Sequence, residues 1–316
     1  MGLVARRTFL AGVACALAQP ALGRPSAETS RRIAAIGYEA AQSLMTLGLT
    51  PVAATNPEGY AEWGGYPVLS ATVTDVGLRT EPNLELLQAL APDLILVADG
   101  DLWNQDVLAR IAPTLTVRIF SNEKSALAAA DQGLIELGTR LGRGATARAV
   151  VAARSRAMHA LAKADVDRRP TFLVTFIDGL HLYVYGDRSL FGEVWTGCGF
   201  ANAWTRPTNS WGFAIVGIQD LADVPDAWLL HIGRFGGPLK RALAQDPVWA
   251  ALGFSDPGRV VEIPPVLPFG GAPSAHRFAD LLLQFFDGPL GQENGSTRRG
   301  SLDISLPFRA PWPIDL

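Results

Sequence analysis

The chain has 316 residues, of which 48% are hydrophobic and 18% charged. Its length allows two units of roughly 150 residues, and its composition excludes a disordered chain. A formal net charge of −3, with no basic stripe, argues against nucleic acid as a partner.

Residues 1–23 read as an export leader. "ARRTFLAGVACALAQPALG" carries Arg6 and Arg7, then Phe9 and Leu10, then a short apolar run, with Ala21 and Gly23 before a possible cleavage point. The pattern resembles a twin-arginine signal. An ordinary secretory leader with a basic start is the alternative. The apolar run is too short to span a bilayer, as is every later one. Cys15 lies in the leader, where Gly12 makes "GVAC" a poor lipoprotein box. Cys198 would then be the single cysteine of the exported chain, which leaves no internal disulfide.

Strand-like and helix-like segments alternate from there. "RRIAAIG" reads as a strand, "EAAQSLMTLGL" as a helix ending near Gly48, and "PVAAT" as a strand. "EPNLELLQALA" reads as a helix with Pro82 in its first turn and Leu84, Leu87 and Ala91 on one face. "PDLILVAD" is a buried strand, "NQDVLARIAP" a helix stopped by Pro113, and "TLTVRIF" a strand. A helical stretch follows from Glu123 to about Leu141. The alternation predicts a mostly parallel sheet with helices on both faces.

"ATARAVVAARSRAMHALAKA" is rich in strong helix formers, with Val150, Ala153, Ala157 and Leu161 on one face. About 20 residues span about 30 Å, a rigid connector between two lobes. Alternation then resumes. "TFLVTFI" and "HLYVYG" are strands around Asp178-Gly179, and "SLFGEVWTGCG" is a helix. "IQDLADV" is a short helix, "AWLLHI" a strand, "PLKRALAQD" a helix, "RVVEIP" a strand and "SAHRFADLLLQFFDG" a last helix. The expected division is a leader over 1–23, a first α/β lobe over 24–143 and a connecting helix over 144–165. A second α/β lobe over 166–290 and an irregular tail over 291–316 complete it. The tail would pack, if at all, through Phe308 and Trp312.

Catalytic motifs are missing. There is no "HExxH", no "GxSxG" and no phosphate loop. "GCGFANAW" begins like a dinucleotide fingerprint, but Asn202 stands where the third glycine is needed. His159, His181, His231 and His276 are isolated in sequence. Asp99 and Asp101 pair without a histidine or cysteine beside them. An enzyme therefore lacks its nucleophile–base pair or metal set.

"DVGLRTEPNLELL" followed by "APDLIL", with "LARIAP", "SLFGEVWTGCGFANAW" and "TNSWGFAIVGIQDLA", resembles the periplasmic iron–siderophore binding proteins of ABC importers, the ferric hydroxamate (ferrichrome) type in particular. The resemblance covers about residues 31–288. It implies two Rossmann-like α/β lobes joined by one long helix, the class III periplasmic binding protein fold. It also implies a monomer with no intrinsic cofactor and no catalysis. The ligand would be a ferric siderophore, delivered to an inner-membrane permease with its ATPase.

Arg79 matches the family's ligand-binding arginine. The iron of a hydroxamate complex already has six oxygens and needs no protein ligand. A guanidinium can donate to those oxygens and stays charged. Trp63 and Trp211 match aromatic walls of the two lobes. Two departures stand out. Asp101, with Trp103 close by, falls where the family has a donating tyrosine. Leu267 and Pro268, followed by Phe269, replace a C-lobe aromatic pair. Glu85 matches a family glutamate that docks onto the permease. In the second lobe Gln219 holds the aligned place and Asp220 is its neighbour. The alternatives are the same scaffold with another iron chelate, haem or a corrinoid, and an exported hydrolase built on Asp99, Asp101 and a distant histidine.

Overall fold

The computed structural model describes residues 31–98, 105–117, 125–256 and 258–287. The leader over 1–23, the tail over 291–316, and Asp99, Asp101 and Trp103 lie outside the described residues. Among the described residues, no helix is long and apolar enough to cross a membrane.

The first part of the chain runs β1 (Ile33–Ile36), α1 (Tyr38–Thr46), β2 (Ala53–Ala54), α2 (Pro57–Glu62) and β3 (Thr74–Asp75). A small hairpin follows, β4 (Gly77–Leu78) and β5 (Glu81–Pro82), then α3 (Leu84–Ala89), β6 (Leu94–Ala98), α4 (Gln105–Leu108) and β7 (Thr114–Val117). These form a sheet of order β3-β2-β1-β6-β7, parallel throughout. β1 (IAAI) and β6 (LILVA) are buried along their whole length, as central parallel strands covered on both faces must be.

Two long helices come next, α5 (Ala126–Arg140) and α6 (Gly144–Lys163). The second unit runs β8 (Thr171–Phe176), β9 (His181–Tyr185), α7 (Leu190–Gly197), β10 (Phe213–Gly217), a 3-10 turn (Ile218–Leu221) and β11 (Trp228–Ile232). It ends with α8 (Gly237–Gln245), α9 (Pro247–Ala251), β12 (Val260–Ile263) and α10 (Gly271–Asp287). Its sheet has the order β10-β9-β8-β11-β12. β8, β11 and β12 are parallel, whereas β9 is antiparallel to β8 and β10. The expectation of parallel strands therefore holds for the first sheet and only for half of the second. The cause is local. Asp178 Oδ1 accepts from the backbone N–H groups of Leu180 and His181, each at 2.7 Å, and this tight turn folds β9 back on β8.

Two further readings change. Pro82 lies in the hairpin, paired with Gly77, and the helix begins after it. Asn83 is the cap, its Oδ1 accepting from Leu86 N at 2.9 Å. Of the apolar positions read for that helix, Leu87 is buried while Leu84 stays 37% exposed. In α6 the buried stripe is Ala147, Val150, Arg154, Ala157 and Leu161. The cationic Arg154 takes the place expected for Ala153. It can do so because Asp131 of α5 receives its guanidinium in a two-pronged ion pair, Nη2 to Oδ2 at 2.6 Å.

α6 packs on α5 and α10, and α10 in turn touches α1 and α7. This helical layer holds the two sheets together. Buried polar contacts reinforce it. Ser274 of α10 donates to Gln42 Oε1 of α1 at 3.0 Å, and Gln42 Nε2 donates to Tyr66 O at 2.9 Å. Glu193 of α7 accepts from the first N–H groups of α5, Ala126 at 2.8 Å and Leu127 at 3.0 Å. A carboxylate there satisfies orphan donors and suits the positive end of the helix dipole.

His231 lies deep in the second lobe, its ring 4.2 Å from that of Phe235 and 5.3 Å from that of Phe176. Burial among these rings pushes its pKa from 6.5 down to about 3. The unfolded chain therefore binds a proton that the folded chain refuses between those two values. Stability falls as pH drops through that window, at about 1.4 kcal/mol per pH unit from this residue. Urea denaturation should show a shallower pH dependence in His231→Leu than in the parent across the same window. Identical dependences would mean that the histidine protonates in the fold.

Candidate ligand-binding site

Ligands of open α/β sheets bind outside the carboxyl ends of the strands, at the point where strand order reverses. In the first sheet that point lies between β1 and β6. Tyr38 follows β1 directly. Its hydroxyl accepts from Asn56 Nδ2 at 2.8 Å, which leaves its own proton to donate. Burial raises the Tyr38 pKa and the nearby Arg79 charge partly offsets this, so the two side chains share one electrostatic neighbourhood.

Arg79 is presented by the β4–β5 hairpin. Leu78 pairs with Glu81, so Arg79 and Thr80 form the two-residue tip. The root is fixed by Asp75, whose Oδ1 accepts from Gly77 N at 2.9 Å and Asn56 N at 3.2 Å. Gly77 has a φ of 87°, which favours glycine. The arginine is therefore held out from the fold and exposed. Glu85 sits in the first turn of α3, also exposed and turned away from buried Leu87.

The second lobe contributes rings. Tyr183 and Tyr185 point to one face of β9. The Tyr183 ring meets Phe213 at 5.0 Å, Phe213 meets Phe269 at 5.5 Å, and Phe269 meets Trp211 at 5.3 Å. Trp63, 40% exposed on the first lobe, reaches Tyr183 at 6.4 Å between centroids. One continuous aromatic row thus starts on one lobe and runs along the other. A depression beside it is lined by Tyr185, Ser189, Trp211, Pro268 and Phe269. Its hydroxyls are engaged within the fold: Ser189 Oγ donates to Gly186 O at 2.7 Å, and Tyr185 OH donates to Thr175 Oγ1 at 3.2 Å. The arrangement is divided, with donors on the first lobe and aromatic surface on the second.

The structure brings Trp63, Trp211 and Phe269 into one row, with Arg79 near Tyr38 at the carboxyl end of the first sheet. Leu267 is buried, so Phe269 rather than its neighbours supplies the ring. Asp220 is committed locally. Its Oδ2 accepts from Gly217 N at 2.9 Å and its carboxylate lies 3.6 Å from Arg206. Asp101 and Trp103 lie outside the described residues. Sequence reading missed Tyr38, Asn56, Tyr183 and Phe213. The alternation in "HLYVYG" put Tyr183 on the face of Tyr185, and Tyr38 follows a strand end at the switch point. Nothing in the sequence marks Asn56, whose role depends on a left-handed backbone (φ 45°).

The periplasmic binding protein family profile matches residues 33–267. The chain is 34% identical over 284 residues to the iron(3+)-hydroxamate-binding protein FhuD of Escherichia coli K12, covering 89% of this chain and 96% of that protein. It is similar in structure to the Fe3+–Desferal-bound siderophore-binding protein FhuD of Vibrio cholerae, with a TM-score of 0.73 and 27% identity over 81% of this chain and 97% of that one. FhuD2 of Staphylococcus aureus with bound ferrioxamine B shares the fold, with a TM-score of 0.60 and 20% identity over 80% and 97% of the respective chains.

Gly64 sets the spacing of Trp63 from the second lobe. At a φ of 79°, a Cβ there would run into the Pro265 backbone and come within 2.8 Å of Val266 N. Gly48 has a similar φ of 73° but open space around it. Gly48→Ala should cost only the left-handed backbone term, about 1–2 kcal/mol. Gly64→Ala should cost that and a further ~1 kcal/mol or more of overpacking. Equal losses in denaturant titrations would show that the two lobes are not in fixed contact there.

Proposed function

Because this chain belongs to the periplasmic binding protein family, we propose that it captures a ferric siderophore of the hydroxamate type in the cleft between its lobes and delivers it to an inner-membrane ABC permease with its ATPase. It acts in the periplasm as a monomer, is exported by the twin-arginine route, and catalyses no reaction. The lobes span 24–143 and 166–290, with 144–165 as the connector. The observation that carries this reading is the divided cleft, with Arg79 and Tyr38 on one side and an aromatic row from Trp63 to Trp211 on the other.

Such a cleft suits a ligand with an oxygen-rich end and an apolar shell. The siderophore's own oxygens fill the iron's coordination sphere, so the protein adds hydrogen-bond donors and no metal ligand. Arg79 and Tyr38 donate to the chelating oxygens. Trp63, Trp211 and Phe269 cover the organic shell, and Asp101 and Trp103 complete the ligand set. The loss of a donating tyrosine at Asp101 is offset by Tyr38, whose hydroxyl is oriented by Asn56.

A hydrogen bond to a charged group contributes about 1.5–3 kcal/mol. Arg79→Ala should therefore weaken binding of ferrioxamine B by roughly 10- to 150-fold in calorimetric titration. Arg79→Lys should recover only part of this, because the planar fork is gone. Unchanged affinity in Arg79→Ala would remove the arginine from the site.

Permease docking rests on Glu85 in the first lobe and Asp220 in the second. Glu85 is the stronger of the two, since the Asp220 carboxylate is already used within its own turn. Glu85→Ala should bind ferrioxamine B like the parent, because it lies outside the donor and aromatic rows. Its uptake in cells should still fall, since rim charges set docking orientation and encounter rate. Full uptake in the Glu85→Ala, Asp220→Ala double variant would show that docking uses other residues.

A further inference from the structure

Apolar surface continues past the aromatic row on the same face of the second sheet. The strands β8, β9 and β10 alternate between two faces. Phe172, Val174, Leu182, Val184, Ala214 and Val216 pack in or against one core cluster. The opposite face carries Tyr183, Tyr185 and Phe213, and it is the face that Trp63 of the first lobe approaches. The register sets Ile215 of β10 directly opposite Tyr183 of β9. Residues so opposed share a face, with Cβ atoms about 5 Å apart. Ile215 therefore stands next to Tyr183 at the outer end of the row.

Ile177 reaches this face from β8. Its N–H donates to His181 O at 2.9 Å, which carries the β8–β9 ladder one residue past Phe176. It follows Leu173 and Thr175, which lie opposite Tyr185 and Tyr183, in the period of two. Tyr183 is thus flanked by Ile215 directly and by Ile177 on the diagonal.

Both isoleucines are open to water, Ile215 at 57% exposure and Ile177 at 44%. The preference of strands for β-branched residues does not account for them, because threonine meets it with less apolar area in water. Adjoining exposed aliphatics mark a surface that something covers. On the turn side the patch stops at His181, whose Nδ1 lies 3.0 Å from Asp178 Oδ2. On the other side it runs without a break into Tyr183, Phe213, Phe269 and Trp211. Among the described residues β10 pairs only with β9, so a chain laid over Ile215 leaves the cleft at an open sheet edge. That geometry sets no limit on its length.

Given a hydroxamate chelate in the cleft, as proposed above, we infer that Ile215 and Ile177 form a subsite for an aliphatic tail on the chelator. The preferred substrates are then ferric hydroxamates that carry an acyl chain. The chelate lies between the donors of the first lobe and the rings of the second, and its tail runs out past Tyr183 across Ile215.

N-acetyl and N-octanoyl ferrioxamine B test this, because both lack the terminal ammonium and differ only in the length of the acyl chain. In calorimetric titrations the octanoyl compound should bind at least about 10-fold more tightly, the gain from burying about two methylene groups. That ratio should fall toward unity in Ile215→Asn and in Ile177→Asn, both at exposed positions where the fold tolerates a polar side chain. Equal affinities in the parent, a preference that persists in both variants, or binding of ferrioxamine B alone would each overturn the inference. Equal affinities together with lost uptake of ferrioxamine B in Ile215→Asn would give the patch to the permease instead. Failure of all three compounds to bind would overturn the hydroxamate reading itself, and the tail subsite with it.

Discussion

The 3.0 Å hydrogen bond from Ser274 to Gln42 joins the last helix to the first in full burial. A buried polar pair is costly unless both partners are satisfied. Gln42 meets that condition by using its amide on Tyr66 O as well. The consequence is a fixed spacing between the lobes. A Cβ on Gly270 would collide with both Gln42 and Ser274, and one on Gly64 would collide with the Pro265 backbone. The loops that carry Trp63 and Phe269 are therefore seated on the same interface that holds the lobes together. On the proposed function the cleft would be built in advance, which reduces the ordering cost of binding.

Preorganisation also explains the division of labour across the cleft. Donors need exact placement, and those of the proposed cleft come from the end of β1 and from a two-residue hairpin tip braced by Asp75. Aromatic surface needs area and a rigid backing. The row from Tyr183 to Trp211 has it, since Tyr185 packs on Phe191 and Phe191 on Phe278 of α10. A metal complex that already satisfies its ion calls for this combination. Adding a protein ligand would compete with the chelator, whereas donors and rings leave it intact.

Much of the fold was legible in the sequence because its signals are local. The apolar runs of β1 and β6, the stop at Gly48 and the long α6 all follow from period and punctuation. The antiparallel half of the second sheet was not legible as such, although the Asp178-Gly179 turn that causes it was. Pro82 misled because proline suits a helix start and a strand edge equally, and only the cap at Asn83 decides. The site divides in the same way. Arg79, Trp63 and Trp211 were reached through the family resemblance of the motifs around them. Tyr38 and Asn56 form a pair only through tertiary contact 18 residues apart in the chain. Arg154 is invisible for the same reason, since a buried cation is tolerable only beside Asp131 of another helix.

The claim that most needs testing is that the divided cleft holds a ferric hydroxamate. Trp63 and Trp211 stand in the aromatic row, so a coloured complex seated there should quench their emission. Titration of the protein with ferrioxamine B should give saturable quenching at one ligand per chain, with little response to the iron-free chelator. No response to any ferric hydroxamate, together with saturable quenching by haem or a corrinoid, would contradict the account.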